Sequence, residues 1–300
     1  MVEISLTIFF ISVLLFLLGS GVWVAISMIG VSTIGMILFT SRPVGDAMAT
    51  TIWGTSSSWT LTALPLFVWM GEILFRTRLS ENLFAGLSPW MQKLPGGLIH
   101  VNVVGCALFA AISGSSAATV ATVGKMSIPE LRKRKYPEKI LLGSLAGSGT
   151  LGLLIPPSII LIIYGVTVQE SIAKLFIAGI LPGIMIALIF MSYVIIWSLM
   201  NKKIMPKYIE NFSFFEKIKK SKQLLPVIIL ISAVIGSIYT GVATATEAAS
   251  LGVVGALILS FFQKSLTIET FKQSLLGATK TSCMIAFILA GSTFLSLAMG

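Results

Sequence analysis

The stretch GSGTLGLLIPPS, residues 147–158, decides how this chain folds. It lies inside the apolar segment 138–168, which as a single helix would be about 46 Å long, whereas a hydrocarbon core is only about 30 Å thick. Pro156 and Pro157 lack amide donors and disfavour helical geometry before them, and the neighbouring glycines lower the cost of leaving the helix. We therefore predict a discontinuous helix over 138–168; a proline kink that only adjusts helix packing is the alternative.

The composition around this stretch is that of an integral membrane protein. Hydrophobic residues make up 56% of the 300 residues and charged residues 11%, whereas soluble domains average about 25% charged. The net charge of +10 does not indicate nucleic-acid binding, because 13 of the 21 basic residues lie in two stretches, 125–139 and 202–222, that flank apolar segments. We predict an all-α polytopic membrane protein with both basic stretches on the cytoplasmic side and the N-terminus outside.

An internal repeat accompanies this pattern. The segment ISVLLFLLGSGVWVAISMIGVSTIGMIL, residues 11–38, aligns with ISAVIGSIYTGVATATEAASLGVVGALI, residues 231–258, and Gly21 and Gly35 match Gly241 and Gly255 at a constant offset of 220. The first copy starts outside and the second starts inside, which predicts inverted repeats of the kind found in secondary transporters. The second repeat is incomplete, and we expect roughly a hundred further residues in its full counterpart.

These observations predict that the chain is divided into four segments, the last of which contains two separate helices near its end. The segments are scaffold helices of the first repeat at 1–89, a transport part at 92–200, a cytoplasmic linker at 201–222, and the start of the second repeat at 223–300. Within the last segment, the less apolar residues 265–280 suggest a helix along the membrane surface, followed by a separate span at 281–299.

Residues 98–124 form a second unusual segment. Fourteen of the twenty residues from Gly105 to Gly124 are Gly, Ala, Ser or Thr, a composition that permits close backbone approach. Basic residues on both sides predict a re-entrant hairpin with its tip at Ser113–Ser116, and each leg of about 16 Å would reach the bilayer midplane. A plain transmembrane helix with a small-residue packing face is the alternative.

The hairpin tip and the helix break together predict a binding site. Freed carbonyls and hydroxyls are hard oxygen ligands that suit an alkali cation, and the helix start near Ser158 favours an anion. Glu247 is either an intramembrane carboxylate or a solvated carboxylate at a helix end. The candidate substrate- and ion-binding residues are Asn102, Ser113, Gly114, Ser115, Ser116, Gly149, Thr150, Gly152, Pro156, Pro157, Ser158, Thr244, Thr246 and Glu247, and the candidate sodium ligands among them are Ser115, Ser116, Gly149 and Thr150.

The chain resembles the large membrane subunit of tripartite ATP-independent periplasmic (TRAP) transporters. The matching stretches are GLIHVNVVGCALFAAISGSSAATVATVG from 97, IPELRKRKYPEKILLGSLAGSGTLGLLIPPSIILIIYGV from 128, SIAKLFIAGILPGI from 171 and GVATATEAASLGVVGAL from 241. The resemblance implies an elevator-type ion transporter fold in which 113–116 form a hairpin tip and 149–158 belong to one sodium site.

The same resemblance implies the function and the surroundings of the chain. It implies a multi-pass protein of the bacterial inner membrane that imports an organic acid by sodium symport, with no cofactor. The implied substrate is a C4-dicarboxylate or similar carboxylate, with sialic acid or another sugar acid as the alternative. The implied partners are a small membrane subunit and a periplasmic substrate-binding protein.

Two other classes of function fit less well. An intramembrane serine hydrolase using Ser115 lacks a GxSxG elbow and a nearby base, since His100 is far from the serines along the chain. A channel would take its filter from a symmetric ring of chains, whereas inverted repeats favour alternating access within one chain. We therefore expect a transporter and not an enzyme.

Overall fold

The computed structural model describes residues 2–76, 79–206, 212–222 and 224–300. Within these ranges the chain forms fourteen α-helices and no strand, which confirms the predicted all-helical class. The helices are α1 Val2–Gly19, α2 Val24–Phe39, α3 Val44–Ser56, α4 Ala63–Phe75, α5 Leu79–Met91, α6 Ile99–Ser113, α7 Ser116–Lys133, α8 Glu138–Gly149, α9 Ile159–Val168, α10 Ile172–Met200, α11 Phe214–Ser221, α12 Leu225–Tyr239, α13 Ala245–Phe262 and α14 Ile268–Met299.

The helices suit a bilayer in length and in surface. In the described ranges, α10, α13 and α14 are each long and apolar enough to cross a membrane, and the number rises to five if two bent helix pairs each count as one span. Large apolar side chains stand exposed along α10, including Leu181 at 76% and Met200 at 80%. Such a surface is unfavourable in water and favourable against lipid tails, so α10 has the surface of a lipid-facing helix.

One compact unit comprises residues 62–278 and contains the predicted hairpin and broken helix. Its core lies around α6, where Val103, Ala110 and Leu151 are fully buried and pack against Ile155 and Phe190. Helix α4 packs along α13, and a Cβ atom on Gly252 of α13 would lie 2.5 Å from the sulfur of Met70. Small residues therefore allow close helix approach in this unit.

The two ends of the helix pair α6–α7 meet in the same unit. The backbone amide of Leu98, just before α6, donates a hydrogen bond of 3.0 Å to the hydroxyl of Tyr136, which follows α7. Burial raises the pKa of the Tyr136 phenol, so the hydroxyl stays protonated at neutral pH. The start of α6 and the end of α7 are therefore joined by a hydrogen bond, in addition to the turn that connects the two helices.

The other compact unit comprises the chain up to Leu61 together with residues 279–300. Gly35 of α2 lies directly against the ring of Phe10, and a Cβ atom on Gly291 would lie 2.9 Å from the carbonyl oxygen of Ala25. Because neither glycine leaves room for a side chain, the helices of this unit also approach closely at glycines.

The predicted repeat coincides with two similar helix–turn–helix elements. Helices α1 and α2 are joined at Gly21, and α12 and α13 are joined at Gly241, 220 residues later. Both glycines adopt a left-handed φ, of 83° and 72° respectively, which a residue with a side chain rarely adopts. The inverted orientation of the two copies and the elevator architecture remain predictions.

Two predicted boundaries differ from the observed helices. The separate elements at 265–280 and 281–299 are wrong, because α14 is one continuous helix from Ile268 to Met299. Lys280 and its polar neighbours lower the local hydropathy, but the segment contains no proline, so the helix continues. The linker at 201–222 contains α11, while 207–211 and residue 223 lie outside the described residues.

The predicted segments also differ from the compact units. The predicted scaffold segment 1–89 is divided between the two units, whose division falls after Leu61. Compactness alone does not test which helices move together during transport, so the predicted division into scaffold and transport segments stays a prediction.

Candidate ion and substrate site

The long apolar segment 138–168 is interrupted as two helices with a non-helical stretch between them. Helix α8 ends at Gly149, a short 3-10 turn covers Thr150–Leu153, and α9 begins at Ile159. Pro156 and Pro157 supply no amide donors within this interval, so part of the backbone has no helical hydrogen bonds. The carbonyls of Leu151 and Leu153 accept hydrogen bonds within the interval, so only its other carbonyls are candidates for ligands.

Helix α10 covers the interrupted stretch. A Cβ atom on Gly179 would lie 2.6 Å from the carbonyl oxygen of Leu154, and one on Gly183 would lie 3.0 Å from the side chain of Ile155. The two glycines thus let α10 approach the non-helical backbone directly. Non-helical backbone at membrane depth needs protein or a wet cavity around it, and α10 supplies protein on one side.

The small-residue segment turns sharply between α6 and α7. Helix α6 ends at Ser113, Gly114 adopts a left-handed φ of 58°, and the Ser115 hydroxyl caps α7 by accepting from the Ala118 amide at 3.4 Å. The Ser113 hydroxyl lies 3.0 Å from the hydroxyl of Thr119, which braces the turn. A single continuous helix over 98–124 is therefore wrong, since the chain reverses at Gly114.

The turn and the helix break meet through their backbones. The carbonyl of Gly114 accepts a hydrogen bond of 3.3 Å from the amide of Ile159, and a Cβ atom on Gly114 would lie 2.6 Å from the carbonyl oxygen of Pro157. A Cβ atom on Gly152 would lie 2.9 Å from the amide nitrogen of Ser116. We call residues 113–116 and 149–158 together the junction.

One side-chain oxygen at the junction stands out. The hydroxyl of Ser116 is buried, and no residue in the described ranges forms a hydrogen bond with it. A buried hydroxyl without a partner costs about 1–3 kcal/mol unless something else binds it. Among the predicted sodium ligands at the junction, Ser116 is therefore the one whose side-chain oxygen is buried without a partner in the described residues.

Other predicted oxygen ligands at the junction already have partners. The Thr150 hydroxyl donates to the carbonyl of Gly147 at 2.7 Å, and its side chain is exposed. The Ser158 hydroxyl donates to the carbonyl of Leu153 at 2.7 Å. Each hydroxyl keeps lone pairs for a cation, but its orientation is set by the backbone carbonyl that it contacts.

Asn102 lies away from the junction. It is fully buried in α6, eleven residues before Ser113 and so about 16 Å along the helix axis. Its side-chain amide donates to the carbonyl of Leu141 at 3.2 Å and to the hydroxyl of Ser144 at 3.0 Å. These bonds tie α6 to α8, so the structure assigns Asn102 contacts that hold the two helices together.

Thr244 and Glu247 form a helix cap at the start of α13. The Glu247 carboxylate accepts from the amide and the hydroxyl of Thr244, both at 2.8 Å, and the Glu247 amide donates to the Thr244 hydroxyl at 3.3 Å. Glu247 is exposed and Thr246 is buried. This geometry favours the helix-end alternative for Glu247, and binding by these three residues stays a prediction.

Sequence reasoning missed several residues that support the junction. Gly71 of α4 packs on the turn, since a Cβ atom there would lie 2.9 Å from the Cα of Ser113. Thr119 contacts Ser113 at the turn, whereas Ser144 accepts a hydrogen bond from Asn102 away from the junction. A glycine in an apolar helix does not by itself indicate such a contact, because small residues are common in membrane helices.

The junction contains no ionisable ligand. Neither 113–116 nor 149–158 includes a charged residue or histidine, and no cluster of three His, Cys, Asp or Glu side chains occurs among the described residues. His100 lies at the other end of α6, where its Nε2 contacts the carbonyl oxygen of Pro95 at 2.8 Å. The arrangement suits a hard monovalent cation held by neutral oxygens better than a transition metal.

Comparison with known proteins places these features in a family. Residues 10–300 match the family model described as "Tripartite ATP-independent periplasmic transporter, DctM component". The C4-dicarboxylate TRAP transporter large permease protein DctM of Pseudomonas aeruginosa is 35% identical over 265 residues, covering 88% of this chain and 61% of that protein.

Two further relatives carry other substrate names. The sialic acid TRAP transporter large permease protein SiaM of Vibrio cholerae is 33% identical, covering 92% of this chain and 64% of that protein. The isethionate TRAP transporter permease protein DctMQ of Oleidesulfovibrio alaskensis is 31% identical, covering 91% of this chain and 43% of that protein. The chain thus spans less than two thirds of the length of these three relatives.

Proposed function

Because this chain belongs to the tripartite ATP-independent periplasmic transporter family, as its DctM component, we propose that it imports an organic acid by sodium symport as part of a large permease subunit. The membership confirms the resemblance on which the sequence analysis relied. The family consists of transporters rather than enzymes, which also confirms the expectation that the chain is not an enzyme. Sodium coupling, substrate and partners are the proposed elements.

The observation that carries the proposal is the junction with its unpartnered Ser116 hydroxyl. Two chain segments more than thirty residues apart meet there through close backbone contacts at Gly114 and Gly152, and both segments contain serine or threonine hydroxyls. The buried hydroxyl would be unfavourable without a ligand, and a cation would satisfy it. The candidate sodium ligands remain Ser115, Ser116, Gly149 and Thr150, through hydroxyls or carbonyls.

Helix ends support binding of a cation and an anion side by side. Helices α6 and α8 end at the junction and direct carbonyl oxygens toward it, whereas α7 and α9 begin there and direct amide groups toward it. The carbonyl groups at the ends of α6 and α8 favour a cation, and the amide groups at the starts of α7 and α9 favour an anion. A sodium ion and a carboxylate could therefore bind at one junction without a charged side chain.

The substrate is proposed as a carboxylate or related organic acid. The relatives are named for C4-dicarboxylates, sialic acid and isethionate, all of which are organic acids. We propose a C4-dicarboxylate first and sialic acid or another sugar acid as the alternative. No arginine occurs within either junction segment, so the helix ends, hydroxyls and bound sodium would hold the acid here.

Transport would move the junction as one body. The Gly114–Ile159 hydrogen bond and the Asn102 bonds to α8 join the hairpin to both halves of the broken helix. Such a body could move against other helices in an elevator mechanism. The proposed partners are a small membrane subunit and a periplasmic substrate-binding protein in a bacterial inner membrane, as the family description "tripartite" and "periplasmic" suggests.

Uptake in proteoliposomes tests the proposal. The intact transporter that contains this chain, supplied with its binding protein and a C4-dicarboxylate or sialic acid, should accumulate substrate only with an inward sodium gradient. Equal uptake when potassium replaces sodium would refute sodium coupling. A parallel measurement with an inward proton gradient serves as the control for a different coupling ion.

A further inference from the structure

Helix α11 presents an apolar face that is largely exposed in the described part of the chain. Phe214, Phe215 and Ile218 are exposed, with Phe215 at 77%, and they lie within about 100° of one another around the helix. The helix has eight residues and is about 12 Å long, too short to cross a membrane. Because α12, an apolar helix, begins at Leu225 only a few residues later, α11 lies next to a membrane segment.

The position of α11 is held by contacts to the end of α5. The indole nitrogen of Trp90 donates to the Ser221 hydroxyl at 2.8 Å, and that hydroxyl donates to the carbonyl of Gly86 at 3.4 Å. The ring of Phe214 meets the Trp90 ring edge-on, with centroids 6.2 Å apart. The exposed apolar face is therefore presented by an anchored helix and not by a loose segment.

The same helix carries a concentrated positive charge. The Nζ of Lys217 lies 5.3 Å from the centroid of the Trp90 ring, and the Nζ of Lys220 lies 3.8 Å from the centroid of the Phe212 ring. Cation–π contacts therefore position both amines. Lys219 and Lys222 are exposed. The carboxylate of Glu216 accepts a hydrogen bond of 2.8 Å from the Ser213 amide, so it caps the start of the helix.

We propose that α11 lies in the lipid headgroup region and binds anionic phospholipids, with its aromatic face in the acyl boundary and with Lys219 and Lys222 on the headgroups. An apolar face flanked by several lysines is the pattern of interfacial helices that prefer anionic lipid. The four lysines against one carboxylate complement a negative leaflet, whereas a partner protein would require a matching acidic groove. This proposal is independent of sodium coupling and of the substrate.

The depth of α11 provides the first test. A nitroxide is attached at position 215 in the intact transporter as Phe215→Cys, with the exposed Cys283 replaced as Cys283→Ser to prevent background labelling. In bilayers containing phosphatidylglycerol, the label should collide with oxygen more often than with a water-soluble nickel chelate. A label accessible mainly to the chelate would overturn the proposal. Protection from both reagents would also overturn it, since a protein partner would then cover the face.

Lipid preference provides the second test. A fluorophore is attached to the same cysteine, and its quenching is measured with brominated phosphatidylglycerol and with brominated phosphatidylcholine. The ratio of the two quenching efficiencies gives the preference of α11 for the anionic lipid. The variant Lys219→Gln/Lys222→Gln should lower that preference by about fivefold for each lysine removed. The matched variant Lys133→Gln/Lys139→Gln, which removes two exposed lysines from the other basic loop, should leave it unchanged. Equal quenching by both lipids, or equal losses in both variants, would overturn the proposal.

Discussion

Ser116 and Ser127 are two buried or largely buried serines on the same helix, α7, and in the described ranges neither hydroxyl has a hydrogen-bond partner. They differ in location, because Ser116 lies at the junction and Ser127 lies eleven residues, or about 16 Å, further along the helix. Comparing substitutions at the two serines therefore distinguishes an effect on ion binding from an effect on folding.

Replacing Ser116 with alanine should raise the half-saturating sodium concentration for uptake by about tenfold or more, because a polar contact with a charged group contributes about 1.5–3 kcal/mol and about 1.4 kcal/mol corresponds to a factor of ten. Folding should be unaffected or slightly improved, since an unsatisfied buried hydroxyl disappears. The measurement is a sodium titration of uptake together with the thermal unfolding midpoint. Ser127→Ala is the matched control and should leave the sodium titration unchanged; an equal change in both variants would contradict the sodium assignment.

Residue-level chemistry also marks the limit of sequence reasoning. The positions of the hydroxyls at Thr150 and Ser116 were evident, but their availability depends on neighbours that only the fold brings close. Thr150 donates to the Gly147 carbonyl, whereas Ser116 has no partner in the described chain. The amide of Asn102 donates to Leu141 and Ser144 and so joins α6 to α8, its Oδ1 has no partner in the described residues, and its role in binding stays a prediction.

At the scale of elements, the interrupted helix depends on Pro156 and Pro157. If both become alanine, amide donors return and the helix can continue through the interval, which withdraws the carbonyls proposed for the cation. Expression should equal or exceed that of the wild type, because two alanines regain several kcal/mol of helix propensity. Transport should fall steeply, with a raised sodium midpoint in any residual activity.

The same double variant tests the packing alternative. A proline kink that serves only helix packing would give poor yield with an unchanged sodium midpoint. Measuring expression and sodium titration on one preparation separates the two outcomes.

The cap of α13 leads to a prediction at the same scale. Replacing Thr244 with alanine removes the hydroxyl that accepts from the Glu247 amide, and loss of such a cap costs about 1 kcal/mol of stability. We expect a lower thermal unfolding midpoint and an unchanged half-saturating sodium concentration. Thr244→Ser, which keeps the hydroxyl, is the control and should behave like the wild type. A raised sodium requirement in Thr244→Ala with normal stability would instead assign this helix end to the ion site.

Elements differ in how well sequence predicts them. Prolines and a small-residue turn interrupt helices through local backbone geometry, so the break before Ser158 and the reversal at Gly114 could be located. The continuity of α14 through Lys280 could not be predicted. Hydropathy indicates whether a helix contacts lipid or water, and it does not indicate whether the backbone hydrogen bonds of the helix continue. The packing of Gly71 on Ser113 joins elements far apart in sequence and has no local signal.

At the scale of the whole molecule, the basic loops predict sidedness. Single cysteines placed at Lys133 and at Lys219, in a background with Cys283→Ser, should react with a membrane-impermeant maleimide only from the cytoplasmic side. The reason is that positively charged loops are retained on that side during insertion. Labelling is compared between sealed right-side-out and inverted vesicles. Reaction of either cysteine from outside would remove the topological basis for the inverted repeat.

The absence of charged side chains from both junction segments has an electrical consequence. A site made of neutral oxygens has no net charge when its ligands have left, so the membrane potential exerts little force on the junction during its return. Each bound sodium ion adds one charge, worth about 2.3 kcal/mol for every 100 mV crossed. In the proposed elevator cycle, voltage would act on the loaded junction according to the summed charge of the bound sodium ions and the substrate. An inside-negative membrane would drive the loaded junction inward only if the sodium charges outnumber the negative charges of the substrate, and the empty junction would be nearly insensitive to voltage.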